Sequence, residues 1–335
     1  MSAPPASDPA RASARLPARV LAGLVFFLIL GTCLFSLAGH LGGLDWRLDL
    51  ASHFRPWYAA AAALALVVAA ALRRRRLVIA AAILSLAELW QVAPFWLARP
   101  PAAGAPALRL VHFNGLSSNP RKPEAVAWLA DTAADVVVVQ EVDAGWAAAL
   151  AALPGHVALE SVPRADNFGM TLLVRHGFRD RVVRTWREEL VPGIPALAAE
   201  LALEGRRIAV LAVHTLPPVS RDYAERRDDQ LARAAAWADQ QRAAGRLPVI
   251  VGDLNASPFS APLRRLLADG GLVDSQRGFG LQASWPVGPP LPRIAIDHCL
   301  HDPALVTAAR ALGPALGSDH LAVRVDLAWP VGQAP

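Results

Sequence analysis

Residues Val20–Ala38, VLAGLVFFLILGTCLFSLA, run for 19 positions without a charge. A helix rises about 1.5 Å per residue, so such a run reaches across a hydrocarbon core of roughly 30 Å. It restricts the first part of the chain to a membrane helix, a buried helix of a soluble core, or a secretory leader. Arg11, Arg15 and Arg19 precede the run and Ser36-x-Ala38 ends it, a pattern that a cleaved leader shares.

Two further apolar segments follow. Trp57–Leu72 has 16 residues and Leu77–Leu97 has 21, the latter carrying Glu88, Gln91 and Pro94. The tetrad Arg73–Arg76 lies between them. With both basic clusters on the cytoplasmic side, three crossings leave everything after residue 98 on the far side of the membrane. A carboxylate facing lipid costs about 3 kcal/mol on insertion scales, so Glu88 is expected against another helix or near the interface. The expected organisation is a cytoplasmic tail over 1–19 and a transmembrane region over 20–97, with helices at 20–38, 57–72 and 77–97. A Pro/Ala/Gly linker covers 98–107 and a catalytic domain 108–330. The expected location is the inner (plasma) membrane, multi-pass, with the catalytic domain extracytoplasmic.

Charge divides at the same place. Residues 1–104 hold 10 Arg/Lys against 4 Asp/Glu, and the remainder 23 against 24, for net charges of +6 and −1. The basic character therefore belongs to the apolar third, and the remainder offers no basic surface to nucleic acid. Cys33 and Cys299 provide no disulfide framework.

From Leu108 onward, short β-rich runs alternate with helical ones. LRLVHF, DVVVVQEV, MTLLVR, ALAAELAL, RIAVLAVHT, LPVIVGDLN, IAIDHCLH and LAVRVDLAW read as strands. Pro123–Ala134, AGWAAALAAL, Arg221–Gly245 and APLRRLLADGG read as helices, the third closed by a glycine cap. Several strands follow one another too tightly for parallel crossovers. The pattern implies an α/β fold with mixed sheets inside and helices outside.

Polar residues recur where these strands end. They are Asn114 in VHFNG, Glu141 in VVVVQEVD, His214 in LAVHT, Asp253 and Asn255 in VIVGDLNAS, Asp297 in IAIDHCL, and Asp319 and His320 in GSDHLAV. Singly, each has a plain structural explanation as a turn former, a solvated strand end or a satisfied core histidine. Glu141 is the hardest to explain so, because a carboxylate adjoining a fully apolar strand needs a charge partner or a cation. Together they are oxygen-rich, with two histidines, and suit a hard cation such as Mg²⁺ and a phosphate. No zinc spacing, Walker loop or dinucleotide fingerprint competes.

The ordered set FN, QEV, HT, GDLNA, ID and SDH, spread over about 210 residues, resembles the endonuclease/exonuclease/phosphatase superfamily. HTLPP and NFGMTLLVR, behind an apolar N-terminus, are similar to a membrane-anchored bacterial branch of it. One position departs: Phe113 stands where the family often has Trp. The resemblance implies a four-layer α/β sandwich, here preceded by the transmembrane helices. It implies that Glu141 is the principal Mg²⁺ ligand, with Asn114 and Asp319 near the metal and Mn²⁺ as a substitute. Asp253 would orient or deprotonate the attacking water, and Asn255 would hold it. His320 would bind the phosphoryl group with its ring fixed by Asp297. His214 would contact the phosphate or assist the leaving group, and Asn167 is a weaker substrate-binding candidate.

The implied activity is metal-assisted hydrolysis of a phosphodiester by a membrane-anchored phosphoesterase, with the lipid bilayer as partner through the N-terminal helices. The substrate would be lipid-derived, or nucleic acid if the protein is an extracytoplasmic nuclease acting on DNA or RNA. A membrane-tethered binding module without catalysis is the contrasting class; the complete acid–Asn–His set argues against it.

Overall fold

The computed structural model describes residues 9–288 and 292–332, with side chains from residue 18 onward. The chain divides into two compact units, at Pro94 and Phe95.

The first unit contains α1 (Pro9–His40), α2 (Trp46–Ser52), α3 (Arg55–Ala71) and α4 (Arg75–Val92). Residues 1–8 of the expected cytoplasmic tail lie outside the described residues, and from Pro9 the chain is already helical. Among the described residues one helix, Ala18–His40, is long and apolar enough to cross a membrane. The pair α2 and α3, bent by 58°, qualifies as a second only if it forms one span. The third expected span falls short in α4, which carries Arg75, Arg76 and Glu88 within its 18 residues. It also ends sooner than expected. After Val92 the chain enters a separate four-residue turn, α5 (Pro94–Leu97), because the proline has no N–H to continue the ladder.

Glu88 does face another helix. Its carboxylate lies 3.3 Å from the Arg55 guanidinium of α3, both side chains are fully buried, and Ser36 of α1 donates to it. Small residues allow this approach, since Val25, Ala65, Ala69 and Ala81 form the apolar contact among α1, α3 and α4.

The second unit is built on β1 (Ala103–Asn114), α6 (Lys122–Asp131), β2 (Val136–Gln140), α7 (Ala144–Ala151), β3 (His156–Val162) and β4 (Met170–Arg175). A 3₁₀ turn over His176–Arg181 leads to β5 (Val182–Val191), β6 (Ile194–Leu203), β7 (Arg206–Ala212), α8 (Arg221–Ala243) and β8 (Leu247–Asp253). Then come α9 (Ala261–Asp269), β9 (Val273–Asp274), β10 (Asp297–His301), β11 (Val306–Leu312) and β12 (Val323–Pro330). The expected linker is shorter than its composition suggests, because β1 begins at Ala103, where Ala103 and Pro106 already stand opposite Pro330 and Ala328.

The strands form two six-stranded mixed sheets, ordered β11-β12-β1-β2-β4-β3 and β5-β6-β7-β8-β10-β9. Each has one parallel pair joined by a helix: β1 and β2 through α6, β7 and β8 through α8. The sheets are flanked by helices, as the α/β sandwich requires. Leu108, Leu110, Val136, Val138, Val210, Val249, Val251, Val323 and Val325 fill the space between the sheets. Their sequence neighbours point outward. Val111, Phe113, Val137 and Val139 pack with Leu129 of α6 and Trp146 of α7, while Leu211 and Ile250 pack with Ala234 and Trp237 of α8 and Leu263 of α9. Burial on both faces explains why β2 reads VVVVQ rather than as an alternating strand.

Period two then decides where the polar residues go. Continuing the inward set past Leu108 and Leu110 reaches His112 and Asn114. Past Val136 and Val138 it reaches Gln140; past Val210 and Ala212, His214; past Val249 and Val251, Asp253. The parallel pairs end on the same rim, and in antiparallel register Asp297 at the start of β10 stands opposite Asp253 at the end of β8.

Candidate active site

Side chains from both sheets meet at that rim. The Asn114 amide nitrogen lies 3.0 Å from Glu141 Oε1, 3.2 Å from Asp253 Oδ2 and 3.4 Å from His320 Nε2. His320 Nε2 is in turn 3.6 Å from Asp253 Oδ2, and its Nδ1 is 2.8 Å from Asp297 Oδ2. His214 Nε2 approaches Asp253 Oδ2 at 3.7 Å. Seven of the nine residues singled out in the sequence thus stand in or beside one cluster: Asn114, Glu141, His214, Asp253, Asp297, His320 and, through its backbone N–H to Asp253 Oδ1 at 2.9 Å, Asn255.

Local backbone explains several placements. Gly252 has φ +151°, and a Cβ there would lie 1.9 Å from the Val213 carbonyl oxygen. Only glycine lets β7 and β8 approach this closely just before Asp253. Strand alternation does not carry on to Asn255: β8 stops at Asp253, Asn255 has φ +45°, and its amide donates to Thr215 O at 2.9 Å. Glu141 likewise has φ +57°, which turns its carboxylate out of β2 toward Asn114 and the Ser117 N–H at 3.4 Å. Ser117 Oγ sits 3.0 Å from both Glu141 O and Asn167 Oδ1, so Asn167 reaches the cluster through one intervening hydroxyl. Ser318 Oγ donates to Asn114 O at 2.7 Å and accepts from the His320 N–H at 3.0 Å, tying the last loop to β1.

Asp319 stands beside His320 with its carboxylate turned to Trp285, whose indole N–H donates to Oδ2 at 2.9 Å. The other oxygen, Oδ1, is buried and has no hydrogen-bond partner among the described residues.

Three contributors escaped the sequence reading: His112, Gln140 and Trp285. Gln140 Oε1 accepts from the Asp253 N–H at 3.0 Å and meets His112 Nε2 at 3.0 Å, while its amide donates to Val213 O at 2.8 Å. One glutamine therefore stitches β2 to β7 and β8. His112 Nδ1 lies 3.4 Å from Asp297 Oδ1, so this carboxylate sits between two imidazoles. His112 and Gln140 continue the inward alternation of their strands, which is the signal that identifies them. Trp285 has no such signal.

Burial and mutual charge separate the protonation states. Burial alone would depress His320, but the Asp297 and Asp253 carboxylates outweigh it and push the ring up to about 10. Burial also opposes ionisation of Asp297, yet the His320 charge and hydrogen bond hold it well below the usual carboxylate range. Asp253 is left farther from the same imidazolium, and burial pushes it up to about 7. Burial, reinforced by the His320 and His112 charges, pushes His214 down to about 3. Burial lowers His112 as well, and raises Glu141 against the pull of the Asn114 and Ser117 hydrogen bonds. At neutral pH the rim holds one imidazolium, two neutral imidazoles, and a carboxylate near its own pKa.

Two groupings of this rim could hold a cation. Asp253, Asp297 and His320 have ligand atoms within 4.8 Å of one another. An imidazolium bonded through Nδ1 to a carboxylate has no lone pair for a metal, so this trio is better described as an ion-paired cluster. The second grouping offers oxygens from Glu141, a carboxylate raised by burial, and from the unpartnered Asp319 Oδ1, while Asn114 turns its amide nitrogen to Glu141 and its Oδ1 to the Leu116 N–H at 3.3 Å. Such a donor set fits a hard divalent cation.

A two-sheet sandwich that gathers a carboxylate near neutrality, an imidazolium and the Glu141 and Asp319 carboxylates at one rim has the groups that hydrolysis of a phosphate ester uses. The sequence profile of the Endonuclease/Exonuclease/phosphatase family matches residues 111–320, and the chain belongs to that family. No curated protein matches the chain. Solved structures share the fold. TDP2 from D. rerio, complexed with a single-strand DNA product, is 16% identical with a TM-score of 0.53, over 66% of this chain and 98% of that one. The human Nocturnin catalytic domain with bound sulfate is 17% identical with a TM-score of 0.54, over 69% and 100%. A mannosyl-6-phosphatase of Bacteroides thetaiotaomicron is 16% identical with a TM-score of 0.52, over 66% and 100%.

The histidine–aspartate pair has a pH signature. A folded-state value near 10 against an ordinary 6.5 means that the charged ring's stabilising contribution is complete below pH 6.5 and is lost as pH rises through 10. Asp297→Asn removes the main opposing charge, and the His320 midpoint should fall by more than about one unit toward its ordinary value. A ¹⁵N NMR titration of the histidine rings in the metal-free protein measures this; an unmoved midpoint would contradict the pairing.

Proposed function

We propose that the protein is a membrane-anchored, Mg²⁺-dependent phosphoesterase that hydrolyses a phosphodiester, with Mn²⁺ able to substitute. The observation that carries this reading is the contact of Asn114 with Glu141, Asp253 and His320 at once. It supports the reading because two carboxylates and a cationic ring that share one amide would all reach a single phosphoryl group. Glu141, Asn114 and Asp319 would hold the metal, which when bound neutralises developing charge on the phosphoryl oxygens.

The chain's own residues perform the rest. Asp253, with its pKa near 7, accepts the proton of the attacking water. The Asn255 N–H, 2.9 Å away, orients Asp253 through Oδ1, and Oδ2, which also accepts from the Asn114 amide at 3.2 Å, is the oxygen that would take the water's proton. His320, kept cationic by Asp297, donates to a non-bridging phosphoryl oxygen through Nε2. His214 stays uncharged beside Asp253 and is a neutral donor toward the phosphate or the leaving group. Asn167 lies at the outer edge, where a substrate's ester substituent would pass.

The fold neighbours include a complex with a single-strand DNA product and a mannosyl-6-phosphatase, so a diester is distinguished from a monoester by assay. The slightly negative net charge of residues 105–335 favours a small or lipid-derived ester over long-range capture of nucleic acid. Anchoring rests on Ala18–His40. With Arg19 and the earlier arginines on the cytoplasmic side, a single crossing by Ala18–His40 leaves the domain over 108–330 extracytoplasmic, whereas a second crossing by the α2–α3 pair would return it to the cytoplasm.

Glu141→Ala and His320→Ala should each lower divalent-dependent release of product by about 10²–10⁴-fold. Hydrolysis is followed across phospholipid, nucleic-acid and phosphorylated small-molecule esters, with metal and with chelator. No metal-dependent turnover on any of them would leave the binding-module reading instead. Orientation is read by C-terminal fusions: an alkaline phosphatase reporter should be active and a green fluorescent protein reporter dark, and the reverse result would place the domain in the cytoplasm.

A further inference from the structure

Trp285 belongs to a strap that grips the segment carrying Asp319 and His320. Its backbone bridges Ile294, with Ile294 N–H to Trp285 O at 2.6 Å and Trp285 N–H to Ile294 O at 3.2 Å. On either side, Leu321 N–H donates to Ser284 O at 3.0 Å and Val287 N–H to Asp319 O at 2.7 Å. The backbone of 319–321 is therefore fixed on two sides before any side chain is considered. The indole then adds a bond of a different kind. It donates to Asp319 Oδ2 at 2.9 Å, and its ring lies 6.3 Å from that of His320.

Two features of this bond matter for a cation. An indole N–H is a neutral donor, so it orients the carboxylate without cancelling its charge, as an arginine would. It also occupies only one oxygen. The other, Oδ1, is buried and has no protein partner among the described residues, a costly state for a carboxylate oxygen unless something else is to fill it. The half-buried ring meanwhile shields this bond from competing water.

We infer that Trp285 is a positioning residue for the metal site: its indole N–H holds Asp319 Oδ2 so that Oδ1 is presented to the divalent cation. This rests on the metal assignment of the proposed function and extends it to a residue that touches neither metal nor phosphate. Partners that orient a ligand change metal affinity by about 10–100-fold when removed.

The test is calorimetric titration of Mn²⁺ into the full-length protein in detergent, with no substrate present. Trp285→Phe should weaken binding about ten-fold. Because phenylalanine also changes packing, a second variant replaces Trp285 by benzothienylalanine, which keeps the bicyclic shape and lacks only the N–H. The expected result is that the sulfur analogue binds Mn²⁺ as weakly as Trp285→Phe. Wild-type affinity in the analogue would overturn the inference and reduce Trp285 to packing, leaving the proposed function intact. Absence of Mn²⁺ binding by the unmodified protein would instead overturn the metal assignment itself, and the inference with it.

Discussion

Two sheets that bury one face against each other must place every second residue between them, and this constraint organises the second unit. Leu108 and Leu110, Val136 and Val138, Val249 and Val251 satisfy it with apolar side chains along the strands. At the ends of the parallel pairs the same alternation delivers His112 and Asn114, Gln140, His214 and Asp253 to one place. The site is the continuation of the core into polar chemistry. That is why its residues are so deeply buried: Asn114, Asp253 and Asp297 are at most 2% exposed.

Burial of this degree makes protonation a matter of geometry. Unpaired, each of these groups would neutralise itself. The 0.8 Å difference between the His320–Asp297 and His320–Asp253 distances, 2.8 and 3.6 Å, divides two otherwise similar aspartates into an ion-pair partner and a carboxylate near pKa 7. His214, a similar distance from Asp253 but without a carboxylate of its own, remains neutral. The cluster thus contains a fixed charge, a proton acceptor and an uncharged donor within one small volume. The Glu141 carboxylate, hydrogen-bonded to Asn114, and Asp319, next to His320 in the chain, complete it.

Much of this was legible in the sequence because buried strands announce themselves. VVVVQ, MTLLVR and VIVGD are continuous apolar runs, and each lies where it was expected. The strands His156–Val162, Val182–Val191, Val273–Asp274 and Val306–Leu312 did not stand out. The first two are half exposed along their length, the third has two residues, and all four are at or next to a sheet edge. The Pro/Ala segment before Leu108 looked like a linker because prolines dominate it, yet an edge-tolerant register admits it to β1 from Ala103. In the first unit, hydropathy alone suggested three spans. The charges at the start of α4 and the break before α3 leave one that qualifies by itself. At the rim, strand-end acids and histidines were visible as residue types. Trp285 was not, since its contact with Asp319 joins residues 34 apart through a loop that no periodicity describes.

The central claim is that the rim has two ends, a cation end at Glu141, Asn114 and Asp319, and a proton-and-phosphate end at Asp253, His320 and Asp297. Crystals of the protein soaked with Mn²⁺ and measured at the manganese absorption edge locate the ion directly. The expected result is an anomalous peak in contact with the Glu141 carboxylate and Asp319 Oδ1. A peak among Asp253, Asp297 and His320 would contradict it.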